Sequence, residues 1–295
     1  MQEPLIDKPL LPEQALRRSF NPCTCFGVCF VLILTSSFST LGQIAYGLSY
    51  YQDTKNISLE CQESNNEWRQ CTAEEACANN LSYVITLDKP HTFRNWIYDF
   101  DLLCPAVNHQ LTYLTTVYFF AFLLSAIGSL WLADRIGRKP IILGGLAIHL
   151  LADLPLVLVL FKSETFLFIY MFMIGIRGPM ASHTISLMLQ EFGLPEIRSY
   201  YSMMVTVSDN STSLFLSFYF YYIGDWRIVI WFNICLVTLG FILILIFVPE
   251  SPRFLHNTRR FSRARRSYNF LARMTGKQTL TEKLSGEEII SQIAL

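Results

Sequence analysis

The chain alternates between long runs that exclude charge and short clusters that concentrate it. No Asp, Glu, Lys or Arg occurs from Ser19 to Tyr51, nor from Asn108 to Ala133. About 20 consecutive apolar residues cross a hydrocarbon core roughly 30 Å thick, and a soluble core helix rarely needs so long a charge-free run. Six such segments stand near 24–50, 110–133, 141–161, 165–189, 199–223 and 228–248. Inside lipid every backbone N–H and C=O has to be bonded within its own segment, which predicts helices rather than strands. The expectation is an all-α membrane protein: a six-transmembrane-helix bundle over 24–248, preceded by residues 1–23 and followed by a linker or tail over 249–295. The first segment is too long for a cleavable signal, and no small-residue cleavage site follows it.

Composition supports this reading and charge orients it. The chain is 52% hydrophobic and 16% charged, against about a quarter charged in soluble domains. Sixteen Lys or Arg fall in 1–23, 134–140, 190–198 and the region after Val248, and six fall in the intervening loops. Such an excess marks the cytoplasmic side. Both termini are therefore expected in the cytoplasm, and the plasma membrane is the expected location.

The long loop 51–109 then faces outward. Its cysteines, Cys61, Cys71, Cys77 and Cys104, imply two disulfides with three connectivities open. Sequons at Asn56 and Asn80 mark candidate glycosylation sites. A third sequon, at Asn210, lies within a span and is discounted. Cys23 and Cys25, at the inner end of the first span, read as membrane-edge cysteines or as palmitoylation sites.

Enzyme chemistry finds no support. There is no phosphate-binding glycine loop, no H-E-x-x-H spacing and no nucleophile elbow, so neither cofactor nor metal is expected. The basic tail lies beside six spans, which favours contact with the lipid bilayer over nucleic acid.

Ionisable residues deep in a span are costly and default to functional hypotheses. They are His149 and Asp153 in the third segment, Arg177 and His183 in the fourth, and Asp209 in the fifth. Arg177 and Asp209 each lie sixteen residues from Gly193, at equal height on antiparallel helices. That predicts a pair, read either as part of a substrate or proton path or as a structural clamp. His149 and Asp153 share a helix face and read as structural.

The tightest charge cluster, "LWLADRIGRKPIILGG" at 130–145, separates the second and third spans. Its core, Asp134, Arg135, Gly137, Arg138 and Lys139, resembles the loop signature of the major facilitator superfamily. Leu130 stands where that signature has its leading glycine. "QEFGLPEIRS" carries Glu191 and Arg198. "GDWRIVIWF" leads into the sixth span, and "VPESPRFLHNTRR" follows it with Pro249, Glu250, Ser251, Pro252 and Arg253. With the "DFDLLC" that closes the cysteine loop, these strings resemble the organic cation/anion/carnitine branch of the solute carriers.

The resemblance implies the N-terminal half of a twelve-helix fold that moves a small organic solute (cation, anion or zwitterion) by alternating access. It implies that the first and fourth spans line the cavity. Gln43, Tyr46, Arg177 and His183 would then be wall residues, with Asp209 on the same path. The charged loop residues, with Glu191, Arg198 and the 249–253 string, would form a network that holds the outward-open state. Met171 stands where the superfamily often has an arginine on the fourth span, which puts family-like ion coupling in doubt. Three readings of the chain are open: part of a longer transporter, a half that pairs with a second copy, or a non-transporting subunit or regulator. In the first two, the missing half or another copy is a partner.

Overall fold

The computed structural model describes residues 11–19, 28–38, 59–62, 67–85, 99–100, 104, 112–158, 164–193, 195–196, 198–223 and 225–274. Helix α1 (Pro12–Ser19) precedes α2 (Val28–Phe38). The loop region holds β1 (Leu59–Gln62), β2 (Trp68–Cys71), α3 (Ala73–Ala78) and β3 (Tyr83–Ile85). Next come α4 (Thr112–Ile136), α5 (Arg138–Val157) and α6 (Glu164–Gly178). A π-helical turn, Pro179–His183, joins α6 to α7 (Thr184–Phe192). Helices α8 (Arg198–Tyr222), α9 (Trp226–Phe247), α10 (Pro252–Asn257) and α11 (Phe261–Met274) complete the order.

Among the described residues, four helical runs are long and apolar enough to cross a membrane: Tyr113–Ile136, Arg138–Val157, Thr165–Phe192 and Trp226–Phe247. They match the second, third, fourth and sixth expected segments. The first is described only over the shorter α2. The fifth, α8, has the length but not the apolarity, because Thr206, Asn210, Ser211 and Ser217 lie exposed along it. Each bonds back to the carbonyl four residues earlier, Asn210 Nδ2 to Thr206 O at 2.7 Å and Ser211 Oγ to Val207 O at 2.7 Å among them. Back-bonding of this kind keeps polar side chains satisfied away from water.

The expectation of an all-helical chain needs one correction. The loop folds β1, β2 and β3 into an antiparallel sheet of order β2-β1-β3, with Leu59 opposite both Cys71 and Ile85. Strands of three or four residues are too short to leave a periodic signature in sequence. Thr72 caps α3 by accepting from Glu75 N at 3.2 Å. The three open connectivities reduce to one, Cys61–Cys71 and Cys77–Cys104. Asn80 sits exposed in a turn with φ of +50°. Asn56 lies outside the described residues.

Helix α4 packs along α6, and α5 lies between α6 and α9. Gly145 of α5 permits the close approach to the π turn, since a Cβ there would stand 2.9 Å from Ala181 N. The apolar core is divided. One cluster joins Leu146, Ala181, Ile185 and Val237 to α1, α10 and α11. The other joins Leu156, Leu167, Ile174, Trp226 and Ile230 towards the opposite end. Between them each helix places a polar residue: His149 on α5, Arg177 on α6 and Asn233 on α9, all fully buried.

Candidate functional site

The charged loop builds one connected structure at the ends of the helices. Gly137 starts α5 with φ of +122° and has no side chain with which to cap it. Glu250, more than a hundred residues on, supplies the cap. Its Oε1 accepts from Arg138 N at 2.9 Å, Lys139 N at 3.3 Å and Ser251 N at 3.0 Å. A carboxylate on the free N–H groups of a helix start also meets the positive end of its dipole. A Cβ at residue 137 would lie 2.5 Å from Glu250 Oε2, so the cap requires glycine here. Two motifs distant in sequence are thus halves of one contact.

Arg138 is the second connection. Its side chain is only 9% exposed, and its Nε and Nη2 donate to Glu191 Oε1 at 3.2 and 2.9 Å. Nη1 donates to Ala133 O at 2.9 Å, and the guanidinium lies 4.6 Å from the Phe254 ring centre. Asp134 also reaches Nη2 at 2.9 Å, but its side chain is 70% exposed. Lys139 turns away to donate from Nζ to Leu245 O at 2.9 Å, capping the end of α9. Ser251 caps α10 through Phe254 N, Pro252 occupies its first turn, and Ser267 Oγ donates to Glu250 O at 2.6 Å. That last bond fastens α11 to the network. Helix α1 is held in turn by Tyr268, whose hydroxyl donates to Pro12 O at 3.3 Å. Burial pushes this phenol up to about 12, against the opposing charge of Arg253.

Three of the expected members stay at the margin. Arg135 lies over the exposed Trp131 ring at 3.9 Å. Arg198 closes its own turn, donating to Gly193 O at 3.1 Å. Arg253 is exposed. Pro249 follows the end of α9, where it cannot prolong the helix.

Residues 28–289 match the family described as sugar (and other) transporter. The chain belongs to that family, within the major facilitator superfamily. It is a multi-pass membrane protein of a transporter family. Similar curated proteins are the galactose-proton symporters of Escherichia coli K12 and of Escherichia coli O6:H1. Each is 31% identical over 171 residues, covering 54% of this chain and 34% of the relative. The chain thus matches about a third of the length of these relatives.

In this sugar (and other) transporter chain the mid-bundle layer is the second part of the site. His149 Nε2 lies 2.9 Å from Asp153 Oδ2, both side chains being buried. Tyr170 Oη donates to Asp153 Oδ1 at 3.2 Å. Asp153 is also close enough to act electrostatically on Arg177. Asn233 Nδ2 donates to Phe38 O at 2.6 Å, tying α9 to α2. Across the layer, Ser36 Oγ donates to Asp209 Oδ2 at 3.3 Å, and the Ser37 and Ser208 hydroxyls meet at 2.5 Å.

The expected Arg177–Asp209 pair is not among the ion pairs of the described residues. Asp209 accepts instead from Ser36 of α2, and Arg177 lies within electrostatic reach of Asp153 of α5. His183 ends the π turn, exposed, with its ring edge-on to Phe122 at 5.5 Å. Gln43 and Tyr46 lie outside the described residues.

Reading the sequence missed Tyr170, Asn233, Ser36 and Ser37 in the layer, and Phe254 and Ser267 in the network. A lone hydroxyl or amide carries no positional signal. Only Asn233, in a segment otherwise rich in Ile, Leu and Phe, was conspicuous enough to find. The far end of the bundle was missed too. There Asp99 accepts from Trp226 Nε1 at 2.8 Å and lies 3.1 Å from Arg227 Nε, which joins "DFDLLC" to "GDWR".

Proposed function

We propose that the chain is the helical half of an alternating-access transporter for a small organic solute, with the charge network as its conformational latch. The observation that carries this is the Glu250 cap on α5, completed by the Arg138–Glu191 pair. These contacts tie α5, α7, α9, α10 and α11 together at one end of the bundle. Ion pairs between helix ends can break and reform as helices rock. We place this end in the cytoplasm of the plasma membrane, following the Lys and Arg bias, with residues 249–274 as the beginning of a linker. Twelve-helix function then needs a second six-helix body or a second copy.

The polar layer supplies the solute-facing chemistry. A sugar offers hydroxyls that both donate and accept. Arg177, Asp209, Asn233 and the serines of α2 and α8 provide both kinds of partner at mid-bundle height. Sugar is the substrate class that the family and the galactose-proton symporters support. Organic ions are the second reading, favoured by the disulfide-bonded outer loop and the "PESPRFL" string. A non-transporting regulator is the alternative if the chain moves nothing.

The test is uptake into proteoliposomes holding the chain as it exists, with labelled galactose in one arm and labelled tetraethylammonium and carnitine in others. Galactose uptake above empty vesicles supports the sugar reading. Uptake of an ion alone moves the assignment to organic ions. No uptake of any of the three, with insertion confirmed, sinks transport by this chain by itself.

A further inference from the structure

A cleft of about 450 Å³ opens between the end of α4, the end of α9 and α11. That volume falls within the roughly 300–1,000 Å³ usual for small-molecule sites. Lys139, Arg260, Arg263 and Arg266 line it, with one carboxylate, Glu250. Glu250 is already committed to three backbone N–H groups. Arg260, Arg263 and Arg266 are exposed and form no ion pair among the described residues. Neither α10 nor α11 contains an acidic residue to offset them. The cleft therefore presents three arginines with no ion-pair partner from its own walls, beside a Lys139 already held by Leu245 O.

Apart from Ser267, its remaining lining is apolar and lies at the membrane boundary. Ile136 and Ile246 stand at or next to the last residues of two membrane-crossing helices and are 50% and 59% exposed. Phe270 lines the same cleft one helical turn beyond Arg266. Arg263, Arg266, Ser267 and Phe270 occupy one face of α11, while Ala264, Tyr268 and Leu271 on the other face are buried. A free phosphate would find the cations but would have no use for the apolar lip. A phospholipid uses both, with its headgroup phosphate among the arginines and its acyl chains along Ile136 and Ile246.

We propose that this cleft is a binding site for the phosphate headgroup of an anionic phospholipid, seated against the Glu250–Arg138 network. The site is separate from the solute path and does not depend on which solute is carried. Lipid occupancy would hold α11 in place through Arg263 and Arg266. Ser267 on the same helix bonds Glu250 O, so the lipid would steady the latch from outside the bundle.

The experiment is native mass spectrometry of the full chain released from micelles containing equimolar phosphatidylcholine and phosphatidate. The chain is expected to retain phosphatidate preferentially. In R263Q/R266Q, with unchanged circular dichroism, that preference is expected to fall roughly thirtyfold, the loss of two interfacial cations. R273Q removes an exposed arginine outside the cleft and should leave the preference intact. Equal retention of the two lipids by the unaltered chain overturns the proposal. So does a preference that survives in R263Q/R266Q, or one that falls equally in R273Q. Complete displacement by excess inorganic phosphate overturns the lipid as the source and assigns the cleft to a soluble phosphate.

Discussion

The chain holds two charged regions built from the same residue types but placed differently. At the helix ends, the Arg138 and Glu191 side chains keep about a tenth of their surface exposed (9% and 11%), beside the exposed Asp134, and with Glu250 they are linked by side chain to side chain and side chain to backbone bonds. At mid-bundle, His149, Asp153 and Arg177 are wholly enclosed between two apolar clusters. Water and the exposed Asp134 can partly compensate a broken contact at the first site, whereas the second has no exposed surface at which water could do so. The end network is therefore suited to opening and closing, while the layer behaves as a fixed polar seam unless a solute enters it. Low dielectric strengthens the buried contacts and raises the cost of leaving one unmet.

That difference can be broken by substitution. Asp153→Asn removes the carboxylate that acts on both His149 and Arg177 among the described residues, and should cost about 3–5 kcal/mol. Thermal unfolding in detergent would check this; a loss under about 1 kcal/mol would show that the seam is neither dry nor coupled. Glu191→Gln leaves Arg138 without its main anion, and roughly 2–3 kcal/mol is expected, since Ala133 O and Asp134 remain. Gly137→Ala should cost about 1–3 kcal/mol, through the positive φ and the displaced Glu250 cap. Its diagnostic is that Glu250→Gln then adds little further loss, because the two changes break one contact.

The smallest effect belongs to Asp134→Asn. An exposed pair with an arginine that has a better partner is worth at most about 1 kcal/mol. Insertion and stability should be unchanged, and any change in transport would mark Asp134 as acting on a second body rather than within this one. Salt sharpens the comparison: raising ionic strength should weaken the end network before the layer, because screening acts on accessible charge. Equal salt sensitivity of Glu191→Gln and Asp153→Asn would contradict the contrast.

Much was decided by sequence alone. Charge-free runs longer than a soluble helix needs define membrane helices, because lipid leaves no other way to satisfy the backbone. The clustering of Asp134 to Lys139, the pair Glu191 and Arg198, and the "PESPR" string were visible as motifs, and with them the superfamily. What those motifs do to each other was not visible. That Gly137 is glycine because Glu250 caps α5, and that Arg198 stays apart while Phe254 and Ser267 join in, depends on contacts between residues far apart in the chain. The same holds for the polar layer. Heights along a helix can be counted from sequence, so Arg177 and Asp209 were placed level. Rotation about the helix axis is set only by how neighbouring helices pack, and the bond that Asp209 makes is to Ser36 of α2.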